Sequence, residues 1–559
     1  MKKVFSRYSW HSSIRERKAP DSLFMNHANE PEFRGTTLTN PVPLPATDQH
    51  ATDSPGNGQW SASWAAVGLG LILVMAGVIR MHHFTTVTSW FDESLGWRMT
   101  QFSFGEIIER SERNVHPPLH FLCLAAWSRI AGDSLLSLRG YALFWGMATI
   151  VGGFFLAKDI FRTSDSTKPS RFAGLLTAAL IALSSIQIHW SQQIKMYTLG
   201  TALTLWSSWF LLRWFQSRGV WRLVCYVLLA AALSLQHHYG TFTVFAQLTF
   251  ALIWSARRSL SPAGRGEFLT IFATGWATVT LWSLWLPAFL NQRALVKQGY
   301  WIGQFDWQHI LTVWRDLFLT DTSIKTSEDV TLIIAQAVLA TVLFLLVQRR
   351  LGSRFLGWLV LSPYVVAVAW SLADGNVFVS RFLINSHICL LVGIAVLTAT
   401  VPNPWLRGTV AGGLIALSLW PAYEQRLHRT RQSEVAGMPK AVEMLRGSKA
   451  DDEPVLVCNP MLYLNLCVYN DGLKNTFAYN PGHGFPHFQG APVMREDEYF
   501  GPAALEDAEI EWVWTLDAEN WLGGSWKTRL PAEWTLQHER SVPEWYGTLV
   551  IRSYQRERP

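Results

Sequence analysis

The sequence is poor in charge and in cysteine: Asp, Glu, Lys and Arg together supply only 16% of its 559 residues, and there are five Cys. That shortage of charge, beside 49% hydrophobic residues and a positive mean hydropathy, points to lipid rather than to a string of soluble domains. Cys123, Cys225 and Cys389 lie in or beside apolar segments and read as small hydrophobes. Cys458 and Cys467 form the one candidate disulfide, and their spacing matches no zinc pattern. The chain also lacks a P-loop, a dinucleotide fingerprint after a strand, a His-Glu-x-x-His helix and a Gly-x-Ser-x-Gly elbow. No apolar core follows the basic start closely enough for a cleaved signal peptide, the first arriving at Ser61. Residues 1–58 therefore read as a disordered cytoplasmic tail, and the first apolar helix as retained.

What is present in quantity is long apolar runs: 61–84, 138–157, 172–190, 197–214, 221–237, 241–256, 267–290, 329–348, 355–372, 383–400 and 408–422. Most approach the roughly 20 residues a helix needs to cross the hydrocarbon. About 11 membrane-spanning helices are thus predicted, in a membrane all-α domain over residues 59–422. Many of the 29 Trp fall at run ends, among them Trp90, Trp190, Trp214, Trp221, Trp285 and Trp420, as expected of headgroup-level anchors.

The formal charge of +6 does not indicate nucleic acid, because the basic residues sit in short loops between apolar runs. Those residues follow a parity. Lys158, Arg162, Lys168 and Arg171 come after the second run, Arg213, Arg218 and Arg222 after the fourth, Arg257, Arg258 and Arg265 after the sixth, and Arg349, Arg350 and Arg354 after the eighth. The positive-inside bias puts these loops, Arg407 and the N-terminus in the cytoplasm of a plasma (inner) membrane protein. Parity also predicts that Leu119–Ala131 lies on the outer surface as an interfacial helix, making about 82–137 one long outward loop. The inward loops are too short for a nucleotide-sugar-binding domain. After Pro421 the apolar runs stop, and 423–559 reads as a small extracytoplasmic α/β domain, with a helical pattern over Glu434–Leu445 and strands over Pro454–Asn459 and Thr548–Ser553.

The outward loop carries Trp90-Phe91-Asp92-Glu93-Ser94 and then Asn114-Val115-His116-Pro117-Pro118-Leu119-His120. Adjacent carboxylates near lipid are candidates for acid–base work, because desolvation and mutual repulsion make one of them a usable base. A solvated pair of loop acids is the bland alternative. Around the pair, the order of first helix, Asp-Glu, Val-His-Pro-Pro-Leu, short interfacial helix and Leu138-Arg139, together with Arg381-Phe382-Leu383, resembles the GT-C glycosyltransferases. The branch it is most similar to contains protein O-mannosyltransferases and bacterial lipid A sugar transferases, and the likeness covers about residues 61–260.

The resemblance implies that Asp92 takes the proton from an acceptor hydroxyl in a single inverting displacement, with Glu93 orienting the acceptor or holding Asp92. The donor would be a polyprenyl-phosphate sugar, with membrane lipid around it and no cofactor. The acceptor is open: a glycolipid, a polysaccharide or a protein. Cations for the leaving phosphate are sought at Lys195, Arg381 and His116. In Gln192-Gln193-Ile194-Lys195-Met196-Tyr197 the chain departs from relatives that show Glu and Arg where Gln193 and Lys195 stand. Arg381 reads equally as a snorkelling anchor, and His116 as a cap of a helix beginning at Pro117. Gln193, Tyr197, His237, His238 and Tyr239 are candidates for sugar or acceptor contacts. Adjacent His side chains rarely reach one ion, so no metal site is assigned. Tyr300-Trp301 and Phe305-Asp306-Trp307 read as interfacial anchors or as aromatics over a sugar or prenyl chain. A transporter of lipid-linked saccharides and a non-catalytic scaffold are the competing readings. A transporter calls for ionisable groups at mid-membrane in broken helices, of which the runs hold few.

Overall fold

A computed structural model of the protein describes residues 62–161, 168–299, 301–320, 324, 326–435, 437–470, 472–482, 484–507, 509–521 and 524–557. The expected tail over 1–58, Arg162 and Tyr300 lie outside these residues. Each of the eleven apolar runs falls on a helix or a bent helix pair. The first is α1 (Ala62–Arg80). The loop read as outward follows with α2 (Phe91–Thr100), α3 (Phe104–Glu112) and α4 (Leu119–Ala131), the last with the bounds read from the sequence. Then come α5 (Leu135–Asp159), α6 (Lys168–Leu183), α7 (Ser185–Ser191), α8 (Tyr197–Ser217), α9 (Val220–Gln236) and α10 (His238–Ala256). The remainder of the helical part is α11 (Pro262–Ser283), α12 (Leu286–Gln298), α13 (His309–Phe318), α14 (Glu328–Val347), α15 (Leu351–Asp374), a 3-10 turn (Ser380–Leu383), α16 (Ile384–Ala399) and α17 (Pro404–Ser433).

Five of these helices are long and apolar enough to span a bilayer, or seven if the pairs α6–α7 and α11–α12, bent by 63° and 62°, each count as one span. The chain is a multi-pass membrane protein. Its outer faces keep large apolar side chains in the open, such as Leu71, Val74 and Val78 on α1 and Ile333, Leu343 and Val347 on α14, an arrangement stable only where lipid covers them. Inside, small and polar groups join the helices: Gln247 donates to Ser207 and Ser208 at 2.8 and 2.9 Å, and Thr149 meets Thr201 at 3.0 Å. Not every Trp is an anchor. Trp221 and Trp420 are exposed, but Trp190, Trp214 and Trp285 are buried.

The bend between α6 and α7 has a cause that the sequence does not announce. Breaking a helix strands backbone carbonyls, which in a membrane need a donor. Arg80, at the end of α1 and wholly buried, supplies it, donating to Ala182 O at 2.9 Å, Ile181 O at 3.1 Å and Ser191 Oγ at 3.2 Å. The short α7 then delivers the 192–196 turn to the site.

The C-terminal part contains α18 (Gly437–Ser448), β1 (Val455–Val457), α19 (Pro460–Tyr469), β2 (Thr476–Tyr479), β3 (Tyr499–Phe500), β4 (Trp512–Trp521), β5 (Gly524–Trp526), β6 (Trp534–Glu544) and β7 (Gly547–Arg556). The sheet runs β3-β2-β1-β4-β7-β6, with β5 paired to β4. Pairing is parallel from β3 to β4 and antiparallel among β4, β7 and β6. Cys458 and Cys467 are both free thiols, so the candidate disulfide is not formed. Two boundaries differ from expectation. The helix α17 does not stop at Pro421 but continues to Ser433. The C-terminal part also shares one apolar core with the loop after α1: Leu95, Met99, Phe102 and Phe121 pack with Leu445, Leu462, Leu466 and Val493.

Candidate functional site

The helix α2 begins at the acidic pair, placing Asp92 and Glu93 in its first turn, where the positive end of the helix dipole favours carboxylates. The two acids have opposite surroundings. Glu93 is 1% exposed, and its oxygens take Arg139 Nε at 2.9 Å, Arg139 Nη2 at 2.7 Å and the Ile194 amide at 3.0 Å. Arg139, fully buried in α5, uses its remaining nitrogen on Phe84 O and Val87 O at 2.6 and 3.0 Å. Of the two roles expected for Glu93, this geometry favours holding the site, because the side chain is buried and both oxygens carry hydrogen bonds. Glu93 is a buried post that ties α2 to α5 and to the 192–196 turn. Asp92 is 22% exposed, and its Oδ2 lies 3.2 Å from Lys195 Nζ.

Close packing keeps that geometry. Gly96 sits one turn after Asp92, and a Cβ there would come 3.0 Å from Ile194 Cγ2, so a larger residue would press the 192–196 turn away from α2. On its other side α2 is held by the C-terminal part. Ser89 donates to Asn465 Oδ1 at 2.8 Å, Ser94 to the same atom at 3.3 Å, Thr88 to Glu544 at 3.1 Å, and Arg98 pairs with Glu498.

Lys195 is buried, and burial pushes its ammonium below the usual lysine range. Asp92 opposes that shift and Arg381, nearby, adds to it. Arg381 lies in the 3-10 turn with its guanidinium 4.7 Å from the Trp301 ring centre and 5.7 Å from that of Phe382. His116 does not cap a helix, since α4 starts at Leu119 with Pro118 before it and no side-chain cap. Its ring faces His237 at 5.2 Å, and burial, aided by His237 and Lys195, holds it well below the ordinary imidazole value. A neutral ring there offers a phosphate a hydrogen bond and no charge. Tyr197 and His237 are 6.0 Å apart, His237 and Tyr239 each pack on Phe382, and the Tyr239 hydroxyl donates to Val377 O. His238 turns elsewhere, its Nε2 2.9 Å from Gln292 Oε1 on α12.

A cavity of about 850 Å³ opens beside the pair. Its walls include Trp90, His189, Gln193, Arg315, Arg381 and Tyr546. Asp92 and Lys195 are not lining groups, but their sequence neighbours Trp90 and Gln193 are. Thus Asp92, Glu93, Lys195, Gln193, Arg381, His116, His237, Tyr197 and Tyr239 gather in one region, and His238 lies at its edge, joined through Gln292 to His116 O.

Four cavity features escaped sequence reasoning. His189 has its ring nitrogens 3.0 Å from the Gln193 amide and 3.3 Å from that of Gln425. Arg315 and Asp316, joined at 2.6 Å, lie on α13, with Ser380 donating to Asp316 at 2.9 Å. Tyr546 arrives from the β6–β7 turn. A His and three Gln within 187–193, inside a run otherwise apolar, were the available signal for His189; for Tyr546 there was none. Among the described residues no group of three or more His, Cys, Asp or Glu could hold a metal ion.

No protein-family model matches the chain, and no curated protein matches it. Solved structures do. The chain is similar to ArnT from Cupriavidus metallidurans in the apo state, with a TM-score of 0.56 at 12% identity, over 88% of this chain and 98% of that one. The same protein bound to undecaprenyl phosphate matches with a TM-score of 0.53 at 11% identity over the same shares. The fold is thus shared with that of ArnT.

Proposed function

We propose that this protein is a membrane glycosyltransferase that moves a sugar from a polyprenyl-phosphate donor to an acceptor hydroxyl on the outer side of the membrane. The observation that carries the reading is the partly exposed Asp92 paired with the buried Lys195, next to a large cavity with cationic walls, in a chain whose fold is shared with an undecaprenyl-phosphate-binding protein. Asp92 accepts the hydroxyl proton while the oxygen attacks the anomeric carbon. The bond from that carbon to the phosphate oxygen breaks, and its electron pair leaves with the phosphate. Lys195 and Arg381 receive the growing negative charge, the electrostatic contribution that is commonly the largest in catalysis. A donor phosphate that draws Lys195 toward itself also releases the Asp92 carboxylate to take the proton, so donor binding and base function are coupled. Glu93 and Arg139 are positioning residues in this scheme.

The test is sugar transfer by the purified chain in nanodiscs from a labelled polyprenyl-phosphate sugar. Lys195→Met is expected to raise the donor KM by roughly tenfold or more, the loss typical of a hydrogen bond to a charged group. An unchanged donor KM in a folded variant removes Lys195 from the phosphate site. Topology has its own check. Single cysteines placed within 160–170 are expected to react with an impermeant reagent only after the membrane is opened, and those within 480–520 in intact cells. The reverse pattern would move Asp92 to the inner side and overturn the reading.

A further inference from the structure

The C-terminal sheet carries a second recess, away from the transfer cavity, and its composition follows from strand register. Side chains two apart on a strand share a face. On β4 one face presents Asp517 and Glu519; on β7 it presents Arg552, and on β6 Glu539. There Arg552 is fully engaged, 2.7, 2.7 and 2.6 Å from Asp517, Glu519 and Glu539. The other face aligns Ala518, Leu549 and Val542 in one row, Leu516, Ile551 and Arg540 in the next, and Trp514, Ser553 and His538 in the third. The helix α18 covers the first rows with Met438, Ala441, Val442 and Leu445. It ends at Ser448, and the uncovered remainder is a recess of about 390 Å³. That volume lies in the range of small-ligand sites, about 300–1,000 Å³.

The chemistry of this recess is unlike that of a solvated edge. Trp512 and Trp514 form one wall, and Glu453 fixes the second indole by accepting from its Nε1 at 2.7 Å. Arg540 and His538 form the opposite wall, exposed and without a hydrogen-bond or ion-pair partner among the described residues, in contrast to Arg552 behind them. At the floor the Ser553 hydroxyl is wholly buried and likewise unpartnered among the described residues. An orphaned hydroxyl, fixed indole faces and an unopposed guanidinium suit a ring with C–H groups on one side and an anionic substituent on the other.

We propose that this recess binds an anionic saccharide unit, its ring laid on the Trp512–Trp514 wall and its carboxylate or phosphate held by Arg540 and His538. The proposal stands apart from the transfer reaction, because no residue of the recess touches Asp92 or the transfer cavity. Titration calorimetry of the full chain in nanodiscs tests it, with trigalacturonate as the carboxylated probe, N-acetylglucosamine 1-phosphate as the phosphorylated one and galactotriose as the neutral control. At least one acidic probe is expected to saturate roughly tenfold more tightly than galactotriose, and Arg540→Gln, at an exposed position, to abolish that preference. Trp512→Ala is expected to weaken binding of the acidic probe, and Asp92→Asn to leave it unchanged. Three results would overturn the proposal: no saturable binding of either acidic probe, equal affinity for acidic and neutral probes, or wild-type affinity in both recess variants. Loss of binding in Asp92→Asn would do so as well, by assigning the sugar to the transfer cavity.

Discussion

Asp92→Asn is expected to lower kcat for sugar transfer by about 10²–10⁴-fold, the usual contribution of a positioned general base. Asn keeps the size of the side chain and its oxygen toward Lys195, so the 3.2 Å contact survives in a weaker form. What disappears is a group able to hold the acceptor proton. Glu93 cannot substitute for it, being 1% exposed and saturated by Arg139 and the Ile194 amide. The variant should fold with some loss of melting temperature, since Asn keeps a hydrogen-bond acceptor toward the buried Lys195 but not the opposing charge. Near-normal turnover in the folded variant would remove Asp92 from the reaction and leave the scaffold reading standing.

The second large effect concerns stability. Arg139→Met leaves the buried Glu93 carboxylate without its cation and strands the Phe84 and Val87 carbonyls, so a loss of about 3–5 kcal/mol is expected, the range for breaking one side of a buried ion pair. Arg139→Lys should recover only part of this, because an ammonium cannot bond both carboxylate oxygens and both carbonyls from a planar fork. The double variant Glu93→Met with Arg139→Met should melt higher than either single Met variant, since removing both charges leaves no orphan. Thermal unfolding in one detergent distinguishes these cases, and single variants that melt like the wild type would refute the role assigned to the pair. Activity should fall with stability in the single variants, because the same pair sets the angle at which α2 presents Asp92.

Much of this site was legible in the chain. Asp-Glu next to a run of lipid length is chemically costly wherever it folds, and the Val-His-Pro-Pro-Leu element stops the backbone from continuing as helix until Leu119, which is where α4 starts. Lys195 could be named because it follows an apolar run by a few residues, and the strands β1 and β7 because their β-branched and apolar runs are bounded by turn residues. The helix bends were not legible. Each depends on a donor far away in sequence, as Arg80 donates to Ile181 and Ala182. The end of α17 was misread because the apolar run ceases at 422, whereas packing of Gln425 and Arg429 against the 189–192 segment carries the helix on.

The sequence by itself determined that this is a membrane protein of many apolar helices, that an acidic pair lies in the long loop after the first of them, and that a mixed α/β part follows the last run. Those properties are local: hydropathy, charge and turn chemistry act within a few residues, and a single chain displays them. Only the tertiary structure decided which acid is buried in an ion pair, because nothing local to Asp92 and Glu93 reveals that Arg139, 46 residues away, claims Glu93. It also decided that His238 bonds Gln292 at the edge of the site, that the C-terminal part shares a core with the loop after α1, and that Tyr546 reaches the cavity wall. These are contacts between distant segments, and burial and hydrogen bonding assign roles to them only once the segments meet.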